Sequence, residues 1–143
     1  MQDTHVEILF AAPDVSPLAV LIAGLSGFVV GGIWYGPLFS KPWMAANNFV
    51  LEDLKRDFSP VRAYGTAAVC SIIAAYALAM ITAPDMPVPA AATQGAIIGL
   101  VWVATSFATS YAFERRSNTL LAINAGYHIV EFAVMGAIIA LMQ

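Results

Sequence analysis

Four apolar runs, each long enough to cross a bilayer, divide this chain, and most polar residues fall between them. A helix needs about 20 mainly apolar residues to cross the hydrocarbon core. The runs predict spans at about 17–35, 63–82, 90–113 and 120–141. Ser16 can cap the first span and Pro17 suits its first helical position. Pro37 is expected to end that span, because proline cannot continue the hydrogen-bond ladder. The second span stops before Pro84, Pro87 and Pro89. Short connections make sequential helices antiparallel neighbours. The predicted fold class is therefore an all-α membrane protein, with four transmembrane helices in an antiparallel bundle and both termini on one side.

Between the first two spans, Leu51, Leu54 and Phe58 recur at helical spacing, with Glu52, Asp53, Lys55, Arg56 and Asp57 between them. This pattern predicts a short amphipathic surface helix over about 48–58, lying in a headgroup layer. Residues 1–16 read as an external tail ahead of the transmembrane domain at 17–143. The tail has no basic start of a secretory signal. Its apolar part, Val6 to Ala12, is too short to span and suits a turn on the bilayer surface.

Charge turns this pattern into a topology. All six cations, Lys41, Lys55, Arg56, Arg62, Arg115 and Arg116, lie in the first and third connections. The positive-inside bias places those connections in the cytoplasm and both termini outside. The expected location is the bacterial inner membrane, with the lipid bilayer as first partner. Asp3, Glu7, Asp14 and Asp85 then face outward without a cation, which does not suit nucleic-acid binding. Trp34, Tyr35, Trp43, Tyr64 and Tyr111 cluster at the inner ends of the spans, as an aromatic belt should. Only 10% of the 143 residues are charged and 60% are hydrophobic. A soluble domain carries about 25% charged residues. The one cysteine, Cys70, lies in an apolar run, so neither a disulfide framework nor a cysteine metal site is expected.

Small residues mark where helices can approach. Gly24, Gly27 and Gly31 share one stripe of the first span, and Ala67, Ser71 and Ala74 offer a second. Apolar burial gives no preference for helix over lipid tail, so close packing must hold such helices together. A faint internal echo links YGPLFSK at Tyr35 with YAFERR at Tyr111, and AYG at Ala63 with AGY at Ala125.

One residue in the spans is expensive. Glu131 stands near the middle of the fourth run, where an acid costs about +2.5 to +3.5 kcal/mol on the insertion scale. Such residues face the bundle interior or water, and function is their default reading. His128 lies one turn before it on the same face, with Asn124 and Tyr127 in the same broad stripe. Gln94, Thr105 and Thr109 form a stripe on the third span. If the two stripes meet, a polar seam crosses the bundle and can relay protons. The competing reading is a neutral Glu131 that hydrogen-bonds His128 or Thr105 and holds two helices in register. No metal is expected: a carboxylate-bridged pair needs four carboxylates and two Glu-x-x-His motifs. His5 reads as inert, and no serine has a convincing base, so no enzyme and no cofactor is expected.

The ordered segments GGIWYGPLFSKPWM at Gly31, AYG at Ala63, YAFE at Tyr111 and INAGYH at Ile123 resemble a bacterial membrane family, domain of unknown function 1761. The resemblance covers about Leu18 to Leu141. It implies a small four-span membrane protein and adds no substrate. It also implies a single cluster of Trp34, Tyr35, Pro37 and Trp43 with Asn124, Tyr127 and His128. The longer tail and the acid at Glu131 depart from the family pattern.

These readings lead to two functional expectations. The first is an accessory or structural subunit of a homo-oligomer or larger membrane complex. The second is an oligomeric proton-linked transporter or channel that uses His128 and Glu131.

Overall fold

A computed structural model describes residues 14–143, apart from the side chains of Asp53 and Asp57. The rest of the expected tail, with His5 and the Val6–Ala12 turn, lies outside the described residues. Among the described residues all regular structure is helical. Helix α1 is Pro17–Ile33, continued by a π-turn at Trp34–Leu38. Then come α2 at Ser40–Asn47, α3 at Leu51–Asp57 and α4 at Pro60–Ile81. Helix α5, Val88–Ile98, passes through a π-segment at Gly99–Ala104 into α6, Thr105–Phe113, and α7 is Asn118–Met142. Four helical stretches, Pro17–Leu38, Pro60–Ile81, Val88–Phe113 and Asn118–Met142, are long and apolar enough to cross a membrane.

Serine hydroxyls start three of these stretches. Ser16 accepts from the Ala19 amide at 3.3 Å, Ser59 from Arg62 at 3.4 Å, and Ser117 from Leu120 at 3.2 Å. Ser59–Pro60 repeats the Ser16–Pro17 signature, so α4 begins before the expected position 63. Pro37 acts differently from expectation. It does not stop the helix but sits inside the π-turn, where the Phe39 amide reaches back to the Trp34 carbonyl at 2.9 Å. The wider turn accommodates the amide that proline lacks. The chain breaks only at Phe39 and at once forms α2, a helix in a segment for which the sequence pattern predicts no element. Asn48 ends α2 in the left-handed region at φ 56°, a conformation asparagine tolerates. The surface helix is therefore shorter than the expected 48–58, because Phe58 and Ser59 are already extended ahead of Pro60.

Helix α7 is the hub and packs against α1, α4, α5 and the π-segment. Its closest neighbour is α5. A side chain at Gly95 would run into the backbone of Phe132 and Ala133, and one at Gly136 into the backbone of Ala91. At Gly99 an added Cβ would lie 2.8 Å from the His128 carbonyl oxygen. Ala91, Gly95 and Gly99 thus form a stripe at four-residue spacing that lets two backbones touch. The stripe Gly24, Gly27, Gly31 is used within the chain as well. Gly24 faces the Ile72 backbone of α4, whereas Gly27 and Gly31 face Tyr127 of α7. Toward one end, Val20, Ala23, Ala75, Leu78, Ala79, Met135 and Ile139 form a continuous apolar core.

Candidate functional site

Glu131 sits where α1, α4 and α7 converge and is only 3% exposed. Both carboxylate oxygens have partners. Oε2 lies 2.7 Å from His128 Nδ1, and Oε1 accepts from the Ser71 hydroxyl at 3.2 Å. The His–Glu bond is N–H to carboxylate when the imidazole holds the proton and O–H to nitrogen when the carboxyl does. A buried acid needs such partners, because an unpaired one costs the full desolvation penalty. His128 is less enclosed, with 26% of its side chain exposed. Its ring stacks on Phe107 of α6 at 5.2 Å and 19°, and Tyr127 meets it edge-on at 4.8 Å. The stack fixes the imidazole plane, and the i, i+3 spacing on α7 fixes its distance from the acid.

A second polar layer lies one turn away. Tyr35 donates to the Asn124 carbonyl oxygen at 2.9 Å, and the Asn124 amide donates to Tyr111 at 2.8 Å. Tyr127 donates to the Gly27 carbonyl at 3.1 Å, a reach that needs the bare glycine face of α1. Trp34 donates to the Ile123 carbonyl at 2.9 Å and lies against Gly126. Tyr35 also packs on Tyr127 at 5.2 Å and on Trp43 at 5.6 Å. Trp34, Tyr35, Trp43, Asn124, Tyr127 and His128 therefore form one cluster, with Pro37 supplying the turn that carries the first of them. Tyr64 contacts Phe28 and Phe58 instead, and is largely exposed.

A cavity of about 1060 Å³ opens beside this cluster, between α1, α3, α4 and α7. Gly27, Gly31, Gly32 and Gly36 form its α1 wall, Ala63, Ala67 and Ser71 its α4 wall, and Leu54, Lys55 and Phe58 lie at its α3 side. Asn124, Tyr127 and His128 close the inner end, so the imidazole stands between the cavity and Glu131. The lining is mostly apolar, with a few convergent polar groups, which is the usual make-up of a ligand site.

Three expected residues are not part of this site. Thr105 and Thr109 are exposed and bond to their own helix, at the carbonyls of Val101 and Thr105. Gln94 lies elsewhere, accepting from Thr82 and donating to Ile81, both at 3.2 Å, where it ties the end of α4 to α5. The π-segment explains the two threonines, whereas Gln94 precedes it and lies one position off the Ala91, Gly95, Gly99 stripe that meets α7. A widened turn takes an extra residue, so positions beyond it rotate about 100° from their regular place. That rotation moves Thr105 off the seam, and Phe107 meets His128 instead. The partner that Glu131 finds on another helix is Ser71, whose only sequence signal was its place in a small-residue stripe. Phe107 carried no such signal. Among the described residues no group of three or more His, Cys, Asp or Glu is close enough to hold a metal ion.

Helices of membrane-spanning length around an internal ionisable site define the class of this protein. The chain belongs to the family described as "Protein of unknown function (DUF1761)", whose model matches residues 18–140. No curated protein and no solved structure matches it.

Proposed function

We propose that this is a multi-pass protein of the bacterial inner membrane. Its four helices run antiparallel with both termini outside, and it binds a small ligand in a cytoplasm-facing cavity while exchanging a proton at His128–Glu131. The pairing of Ala91 with Gly136, Gly95 with Phe132 and Gly99 with His128 supports the antiparallel arrangement of α5 and α7. Placement of five cations in the first and third connections, with Arg62 in the first turn of α4 next to the first of them, supports the orientation.

One observation carries the functional reading. Glu131 is sealed from the cavity, both its oxygens are bonded, and His128 is the member of the pair that lines the cavity. Two cavity-lining groups touch the carboxyl, the Ser71 hydroxyl at Oε1 and the His128 imidazole at Oε2, and we assign proton passage to the imidazole because either of its two nitrogens can hold the proton. Toward the outer end the carboxyl is followed by the apolar core from Val20 to Ile139, with Thr82 at the end of α4 as the other buried polar residue among those described. This supports access from one side, within a single chain and without a through pore. A non-enzymic role also fits: Glu131, not His128, holds Ser71, so the serine lacks the aligned base of a hydrolytic triad.

Infrared spectroscopy of the protein in nanodiscs tests this reading. Hydrogen–deuterium exchange at the Glu131 carboxyl, identified by its loss in Glu131→Gln, is expected to slow markedly in His128→Phe. Equal exchange rates in the two backgrounds would remove His128 from the path.

A second reading, the accessory subunit of a homo-oligomer or larger complex, is supported by the outward face of α6. Thr105, Ser106 and Thr109 are exposed there beside Trp102, hydroxyls that a neighbouring helix can use. Native mass spectrometry from the membrane decides it: one copy with no other subunit rejects this reading.

A further inference from the structure

We propose that the cavity takes a single-chain anionic amphiphile, with its head at Lys55 and its apolar chain extending inward toward His128. The inference rests on the site described above and names the class of molecule that fills it.

Size comes first. At about 1060 Å³ the cavity stands at the top of the range of ligand pockets, roughly 300–1,000 Å³. That volume suits one flexible chain. The walls have the matching chemistry. Phe28, Phe58 and Tyr64 contribute apolar surface, while Gly31 and Gly32 keep the α1 side flat. An added Cβ at Gly32 would meet nothing within 4 Å, so that wall borders open space.

Charge sets the direction. Lys55 is the one Lys, Arg, Asp or Glu among the described lining residues; in its connection Lys41, Lys55 and Arg56 are matched in number by Glu52, Asp53 and Asp57, so the direction rests on Lys55's own place in the lining. An anionic head there keeps its charge at the polar edge, where desolvation costs least. At the inner end the same head would approach the Glu131 carboxyl behind His128. A cationic head gains little at that end, because both Glu131 oxygens already have partners, and Lys55 repels it at the mouth. At the inner end the polar atoms are paired with one another, Tyr35 and Tyr111 with Asn124, Tyr127 with Gly27 and His128 with Glu131, which leaves the ring faces to meet the apolar terminus of a chain.

The test uses the full-length protein in nanodiscs, with empty nanodiscs as the partition control and a fluorescent long-chain fatty acid as probe. Saturable binding above the control is expected, displaced by oleate and by oleoyl lysophosphatidic acid but not by oleyl alcohol or an alkyltrimethylammonium. Stronger displacement by oleate assigns a free fatty acid; stronger displacement by the lysolipid assigns a phosphate head. Lys55→Gln is expected to weaken binding about tenfold, the equivalent of about 1.4 kcal/mol. Gly32→Trp is expected to block the space and abolish binding. Equal displacement by the alcohol or the ammonium overturns the proposal, as does full affinity in both variants. Probe binding and carboxyl exchange measured together on the parent protein separate this inference from the proton reading. Saturable binding with His128-dependent exchange supports both, saturable binding with exchange independent of His128 leaves the amphiphile standing alone, and His128-dependent exchange without saturable binding leaves the proton reading standing and rejects the amphiphile.

Discussion

Oxygen Oε1 of Glu131 occupies the space that a side chain at Gly27 would need. The bare backbone of α1 and the acid of α7 are therefore one arrangement: the glycine is the socket and the carboxylate its contents. Gly27→Ala is expected to push the carboxylate off Ser71 and His128, costing about 1–3 kcal/mol as an overpacked site does. Gly31→Ala meets the Tyr127 ring at 3.5 Å, an ordinary contact, and should be close to neutral. Thermal unfolding of the two variants in one detergent compares them; equal midpoints would mean that Glu131 moves aside freely.

The α5–α7 contact should be less forgiving. At Gly95 and Gly136 the obstacle is backbone rather than the end of a side chain, so nothing local can yield. Gly95→Ala and Gly136→Ala are each expected to cost more than Gly27→Ala and to separate the two helices. Gly65→Ala, where an added Cβ meets nothing within 4 Å, serves as the control. A disulfide cross-link between cysteines placed at Ala92 and Ala133, in a Cys70→Ala background, measures the separation by its loss in the glycine variants.

Much of the fold was legible because lipid imposes strict terms. Apolar length marks the four helices, and Ser16–Pro17 marks the first start. The same logic applied to Ser59–Pro60 and to Ser117 locates the other starts, though hydropathy alone places them later. Glu131, His128, Asn124 and Tyr127 were legible because polar side chains are costly in a span and share one face of α7. Gln94, Thr105 and Thr109 show where periodicity fails. A π-segment is invisible to a 3.6-residue count, and threonine can donate its hydroxyl proton to its own helix, so its presence in a span does not require a partner on another helix of the chain. Ser71 was hard to find for the converse reason: a serine among alanines reads as small before it reads as polar.

Substitutions at the acid separate holding from handling. Glu131→Gln retains an acceptor for Ser71 and a group for His128, so its stability should stay within about 0.6 kcal/mol of the parent, the average of an interhelical polar contact. Glu131→Ala removes both partners and leaves a void beside Gly27, and should cost about 2–5 kcal/mol, in the range of large-to-small core changes. Urea or detergent unfolding measures both. A Gln variant as unstable as the Ala variant would show that the ionisable proton itself holds the helices.

Orientation decides which compartment the cavity serves, and two loop positions read it. Asp85 lies between α4 and α5, and Glu114 lies after α6; both are exposed. The cation distribution predicts that Asp85→Cys, in a Cys70→Ala background, is labelled by a membrane-impermeant maleimide in intact spheroplasts. Glu114→Cys should react only after permeabilisation. Lys55, at the cavity mouth, shares the α1–α4 connection with Lys41 and Arg56, which the positive-inside bias places on the Glu114 side. The expected pattern therefore also opens the cavity to the cytoplasm and its ligands. The reverse pattern would invert the bundle, expose the His128 end to the outside, and make any proton taken up by Glu131 an external one.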